Sequence, residues 1–183
     1  MILGLDVSTS TTGYCVLDNC GNLVMLDAIN LSRHKTVYDK AVQIKKAFSV
    51  LKEQYEIKQI FVEENLQAFR PGFSSAKTIL TLAKFNGITC LLANQEFGIE
   101  PIDINVNVAR KTVDLKILRG KKTQKNTKQQ VFEWVNQKID FDWPIKVLKS
   151  GPRKGESIYE SCVYDMADAF VIARAGFKMN NSS

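Results

Sequence analysis

Asp165 and Asp168 stand three residues apart at the head of an apolar, Ala-rich run, CVYDMADAFVIARAGF (162–177). On a helix, positions i and i+3 are neighbours, so the two carboxylates share a face and repel each other. The positive end of the helix dipole accounts for one acid in a first turn; a pair calls for a partner. Other acids close short apolar runs. Asp6 ends ILGLD, and Glu63 and Glu64 end IFVEE. Carboxylates gathered in one crevice either protonate or are neutralised by a cation. Hard oxygen donors select Mg²⁺ or Mn²⁺. Two such ions, about 3.5–4 Å apart, hold the attacking and leaving oxygens of an in-line phosphoryl displacement. The chemistry open to this set is metal-assisted hydrolysis of a phosphate ester. His34, the single histidine, falls in a polar segment and reads as a surface residue. No Ser-His-Asp or Cys-His arrangement is visible, which leaves activation of water to the metals.

The elements that must bring these acids together can be read from periodicity. Three strand-like runs, ILGLDV, TGYCVLD and NLVMLDAINL, follow closely, with NCGN supplying a turn, and imply an antiparallel meander. Apolar residues at steps of three and four predict a helix over 37–55. KQIFVEEN is a fourth strand, Pro71-Gly72 a turn, 74–92 a second helix, and IEPIDIN a fifth strand. Asn105 caps a basic helix that Gly120 stops. A helix over 127–138 follows, then a Pro- and Gly-bearing basic segment, 140–161, expected to be a mobile loop. The last helix spans 162–178, leaving 179–183 as a disordered tail. The expected fold is α/β: one domain over 1–178 with a mixed five-stranded sheet, three strands antiparallel and then parallel, and helices on both faces. If the first and fourth strands lie parallel and adjacent, Asp6 meets the Glu63-Glu64 pair at one sheet edge, where α/β proteins favour ligand sites. The last helix then brings Asp165 and Asp168 there, and the small Ala167 and Ala169 let it approach the sheet closely.

Composition narrows the partners. The 183 residues carry 25 Lys and Arg against 19 Asp and Glu, a net charge of +6. The stretch from Arg110 to Lys128 holds eight basic residues and one acid, Asp114, so it exceeds the net charge of the whole chain. A basic patch on a near-neutral body points to a polyanion, nucleic acid first. Cysteines 15, 20, 90 and 162 form no close ligand pair and read as reduced thiols of a cytoplasmic protein. No run reaches the ~20 apolar residues that span a bilayer, and MILGLDV lacks the features of a signal peptide.

Four segments in order resemble the RuvC-type Holliday junction resolvases, within the ribonuclease H-like and retroviral integrase nuclease superfamily. ILGLDVSTSTTGYCVLD resembles the opening motif, and IFVEEN the strand that delivers a Glu. VARKTVDLKILRGKKTQKNTKQQVFEWV resembles the lysine-bearing DNA-binding segment, and YDMADAFVIARAG the closing helix. The resemblance covers residues 1 to 178. It implies a ribonuclease H-like fold with Asp6, Glu63, Asp165 and Asp168 as catalytic metal ligands. Glu63 is chosen over Glu64 because it directly follows the apolar run and strand alternation turns the two to opposite faces. It further implies two Mg²⁺ ions per site, with Mn²⁺ as substitute, and DNA contacts from Lys111, Lys121, Lys122, Lys125 and Lys128. Its remaining implications are Phe69 or Phe73 as a base-stacking aromatic, a homodimer, and branched DNA cut by paired nicks that leave 5′-phosphate and 3′-hydroxyl ends. Leu82 and Phe85, on the second helix, are interface candidates. The segment 139–162 is longer and more basic than its counterpart in bacterial members, which suits a phage-borne member; the expected compartment is the cytoplasm of a bacterium or of a phage-infected host.

Two rivals remain. A non-cleaving branched-DNA-binding module of the same fold has no use for acids facing phosphate. An actin-like ATPase, suggested by LDVSTSTTG, needs a second lobe for which 183 residues leave no room.

Overall fold

The computed structural model describes residues 1–64, 76–119 and 122–181. Five strands form one mixed sheet: β1 (Ile2–Asp6), β2 (Thr11–Leu17), β3 (Leu23–Asn30), β4 (Gln59–Glu63) and β5 (Ile102–Ile104), in the spatial order β3-β2-β1-β4-β5. The first three are antiparallel, and β1, β4 and β5 run parallel. The expected mixed sheet is therefore present, with β1 and β4 adjacent.

Alternation along the strands divides the core in two. Leu3, Leu5, Tyr14, Val16, Ile60 and Val62 point to one face, where they meet Ile44 and Phe48 of α1 (Val37–Gln54) and Phe85 of α2 (Ala76–Phe97). A Thr36–Asp39 capping box starts α1. Ile2, Cys15, Leu17 and Phe61 point to the other face. There they pack with α3 (Val106–Thr112), α4 (Thr127–Asn136) and α5 (Cys162–Asn180). The core side of α5 is almost wholly small or apolar, with Ala167, Ala169, Ala173 and Ala175 fully buried.

Glycines on the sheet let α5 settle this close. A Cβ added at Gly4 would lie 2.6 Å from the Ala173 Cβ and 2.7 Å from the Ala169 carbonyl oxygen. At Gly13 it would lie 2.1 Å from the Asp165 carbonyl oxygen. The close approach expected from Ala167 and Ala169 is thus made with glycines opposite, on β1 and β2.

Several boundaries differ from expectation. The basic helix ends at Thr112, not at Gly120. Val113 and Leu115 turn inward to the core, and Asp114 between them adopts φ 64°, a left-handed conformation that stops the helix. Helix α2 continues five residues past 92 to Phe97, and α5 reaches Asn180, so residues 179 and 180 are helical. The segment 140–161 is not a mobile loop. It holds an antiparallel hairpin of β6 (Ile145–Val147) and β7 (Ser157–Tyr159). The Pro71-Gly72 turn, Gly120, Lys121, Phe69 and Phe73 lie outside the described residues. Among the described residues no helix is long and apolar enough to cross a membrane.

Candidate active site

The parallel register pairs Leu5 with Val62, so one step further Asp6 stands beside Glu63. Both belong to the alternation set of Gly4 and Phe61, the set facing α5. The Gly13 contact presses the first turn of α5 onto β2 opposite Asp6, since Asp6 pairs with Gly13. Sheet register and helix docking together bring Asp6, Glu63, Asp165 and Asp168 to the rim of one cleft of about 590 Å³. Ser8, Ser10 and Thr11 of the β1–β2 turn line it too. The Ser8 hydroxyl braces that turn by donating to the Thr11 carbonyl at 2.7 Å. From α2, the buried Asn86 donates to the Glu63 carbonyl at 3.3 Å and steadies the end of β4.

Glu64 also lines this cleft, contrary to the expectation that it faces away. Regular alternation stops at Glu63, the last residue of β4. Beyond it the Glu64 N–H donates to the Ile104 carbonyl, and its carboxylate accepts from the Asn105 amide at 3.0 Å.

Two cations face the acids. Lys128 of α4 donates to Asp165 at 2.9 Å, and Arg110 of α3 stands 3.6 Å from Asp168. The compensation is partial. Burial, then the charges of Glu63, Asp168 and Asp165, push the Asp6 carboxyl well above the ordinary range, with Lys128 pulling the other way. Burial and Asp168 push Glu63 up to about 7 against the pull of Arg110 and Lys128. Burial also raises Asp168, although Arg110 and Lys128 oppose it. For Lys128, burial disfavours the charge, but the hydrogen bond and charge of Asp165, with Asp6 and Asp168, outweigh it and the pKa rises.

An all-oxygen donor set that repels itself, even with two cations present, suits a hard divalent ion. Among the described residues no three acidic, Cys or His side chains are drawn into one coordination cage. Lys128 and Arg110 pair with two of the four carboxylates.

Arg110 is the residue missed by sequence reasoning, which counted it only among the basic residues of the segment. Its signal was helical spacing. It lies four residues after Val106 and three before Val113, on the face of α3 turned to α5. Arg110 also borders a second groove of about 420 Å³ with Lys111, Lys116 and Arg119, so the acidic cleft and this basic groove share one residue. Lys111, Lys122 and Lys125 are exposed, and Lys125 pairs with Glu133 at 2.7 Å. Of the interface candidates, Leu82 lines the acidic cleft, whereas Phe85 is fully buried within its own chain and presents nothing to a partner.

Across 98% of the chain the fold superposes on Thermus thermophilus RuvC in complex with a Holliday junction substrate, with a TM-score of 0.61 at 15% identity, covering 94% of that protein. The chain is RuvC-like in fold. A second T. thermophilus RuvC structure matches this RuvC-like domain with a TM-score of 0.59 at 15% identity, over 99% of the chain and 96% of the other. The yeast mitochondrial Holliday junction resolvase Ydc2 gives 0.56 at 19% identity, over 98% of the chain and 78% of its own. In sequence, the domain is similar to the crossover junction endodeoxyribonuclease RuvC of Aliarcobacter butzleri, 31% identical over 99 residues, 53% of the chain. It is also similar to the RuvC of a Sulfurovum species, 27% identical over 99 residues, again 53% of the chain. The matched stretch spans 61% and 59% of those two relatives. No family model matches the chain.

Proposed function

We propose that this RuvC-like domain is a metal-dependent endonuclease that resolves four-way DNA junctions by paired symmetric nicks. The observation that carries this reading is the convergence of Asp6, Glu63, Asp165 and Asp168 on one cleft. It is supported by likeness to a protein named as a Holliday junction resolvase, to a RuvC bound to a Holliday junction substrate, and to a crossover junction endodeoxyribonuclease.

The reaction is hydrolysis of a phosphodiester. A water oxygen attacks phosphorus in line, the bond from phosphorus to the 3′-oxygen breaks, and the leaving oxygen takes up a proton. A 5′-phosphate and a 3′-hydroxyl result. Asp6, Glu63, Asp165 and Asp168 would hold two Mg²⁺ ions, with Mn²⁺ able to substitute. When bound, these ions supply Lewis acidity and a more acidic water. The other roles fall to side chains of the chain itself. Lys128 and Arg110 screen the acids and would offer positive charge to a phosphate entering the cleft. Lys111, with Lys116 and Arg119, lines a neighbouring groove whose charge would attract the DNA backbone. The basic stretch that holds Lys121, Lys122 and Lys125 would add further backbone contacts.

A four-way junction has near-twofold symmetry and needs two cuts, which a C₂ dimer would deliver. Leu80 and Leu91 of α2, 69% and 56% exposed, are better placed for a dimer contact than the buried Phe85.

The experiment is nick mapping on labelled four-way junctions, forks and linear duplex, in Mg²⁺ or in chelator. Mg²⁺-dependent nicks placed symmetrically in two opposed strands of the junction are expected. Junction binding without nicks under any divalent ion would instead establish a binding module.

A further inference from the structure

The hairpin of β6 and β7 precedes α5 and is largely exposed. Its base is fixed. The Phe132 ring meets Trp143 and Tyr159 edge-on, each at 4.9 Å, and the Glu160 N–H donates to the Pro144 carbonyl at 2.9 Å. The tip is closed as firmly. The Leu148 N–H donates to Glu156 and the Gly155 N–H to Leu148, both at 2.9 Å, with Gly151 and Gly155 at φ 84° and 92°. From β7 the chain passes through Glu160 to Ser161, which lines the cleft, and then enters α5 one turn before Asp165. The ribbon is therefore tied directly to the candidate catalytic helix.

Apart from Tyr159, whose ring meets Phe132, its surface is largely exposed. Of residues 145–159, all except Leu148 and Ile158 are exposed. Ile145, Val147 and Tyr159 share one face, with Ile145 opposite Tyr159, and are 60%, 56% and 47% exposed. Of the four cations here, Lys146 stands on the opposite face, paired across the ribbon with Ile158, while Lys149, Arg153 and Lys154 lie in the exposed tip. Among the described residues only Arg153 of these four has an acidic partner, Glu156 at 2.7 Å.

We propose that this hairpin is a docking arm for double-helical DNA, seated in the major groove of a duplex arm beside the cut. The proposal rests on the reading of the chain as a protein of branched DNA. A two-stranded ribbon is of a size the major groove admits. Its cations reach phosphates on either side, and its apolar strip fits base edges and thymine methyl groups. The same lysines would repel their counterparts on a second copy of the chain, so charge favours DNA over self-association on this face.

The test uses the full chain with a photo-crosslinking residue at position 149 or 154, together with K149E/K154E, and a four-way junction in chelator so that no cutting occurs. Crosslinks to one duplex arm are expected. The double variant is expected to bind the junction about tenfold more weakly, with a slope of log K against log salt shallower by about 2. Junction binding with no crosslink to DNA and an unchanged salt slope overturns the docking arm and leaves the nuclease reading standing. Crosslinks confined to a second protein copy overturn it in favour of an interface. A wild-type chain that binds no branched DNA removes the nuclease reading and the docking arm together.

Discussion

In chelator, Glu63→Gln should make the protein more stable, and only at neutral to high pH. The Glu63 carboxyl is raised from 4.5 to about 7 by burial and by Asp168. A carboxyl with a raised folded pKa favours its protonated form in the native state. Its contribution to stability is fully present below pH ~4.5, declines as pH rises, and is lost once pH passes about 7. A tenfold change in proton affinity is worth about 1.4 kcal/mol, so the full displacement corresponds to roughly 3 kcal/mol. The cleft opens to solvent and Lys128 and Arg110 can rearrange, which brings the expected gain to about 1–3 kcal/mol. For a chain of this size that is a rise in Tm of roughly 3–10 °C. Thermal unfolding of both proteins, followed from pH 5 to pH 8.5 in chelator, reads the effect directly. The two curves should coincide near pH 5 and separate as pH increases. Saturating Mg²⁺ should close the gap by stabilising the wild type through binding. Parallel curves across the whole range would refute the claim that Glu63 sits in an undercompensated acidic cluster.

Three further perturbations test the geometry. Lys128→Ala removes the 2.9 Å partner of Asp165 but leaves the core intact; unfolding should move by no more than about 1 kcal/mol, while nicking of a junction falls at least tenfold. Gly13→Ala places a methyl group 2.1 Å from the Asp165 carbonyl oxygen; about 2–3 kcal/mol of stability should be lost in denaturant unfolding, and nicking should fall more than DNA binding because the first turn of α5 is displaced. Lys111→Ala with Lys122→Ala should reduce the salt slope of junction binding by about 2, and an unchanged slope would take the basic groove off the DNA path.

The sheet and its acids were legible because they rest on short-range signals. Apolar runs closed by Asp6 and Glu63 marked β1 and β4, and the period of the final helix set Asp165 and Asp168 on one face. What escaped depended on tertiary context. Glu64 joins the cleft because strand geometry ends one residue earlier and Asn105 holds its carboxylate. Arg110 faces Asp168 only once α3 is docked against α5. The hairpin was hidden by its composition. Proline, glycine and lysine read as loop, whereas the cross-strand pairs Ile145–Tyr159 and Lys146–Ile158 hold a ribbon whose stability comes from Phe132 beneath it. Gly13 gave no signal beyond a turn, and its role against α5 appears only when the helix is docked.

The most direct measurement is anomalous scattering from a crystal soaked in Mn²⁺. Density for divalent ions coordinated by Asp6, Glu63, Asp165 and Asp168 is expected, with Lys128 and Arg110 drawn back from the carboxylates, and with the density lost in Asp6→Asn. A saturating soak that leaves the cleft without metal, or that places the ion away from Asp6, would contradict the account.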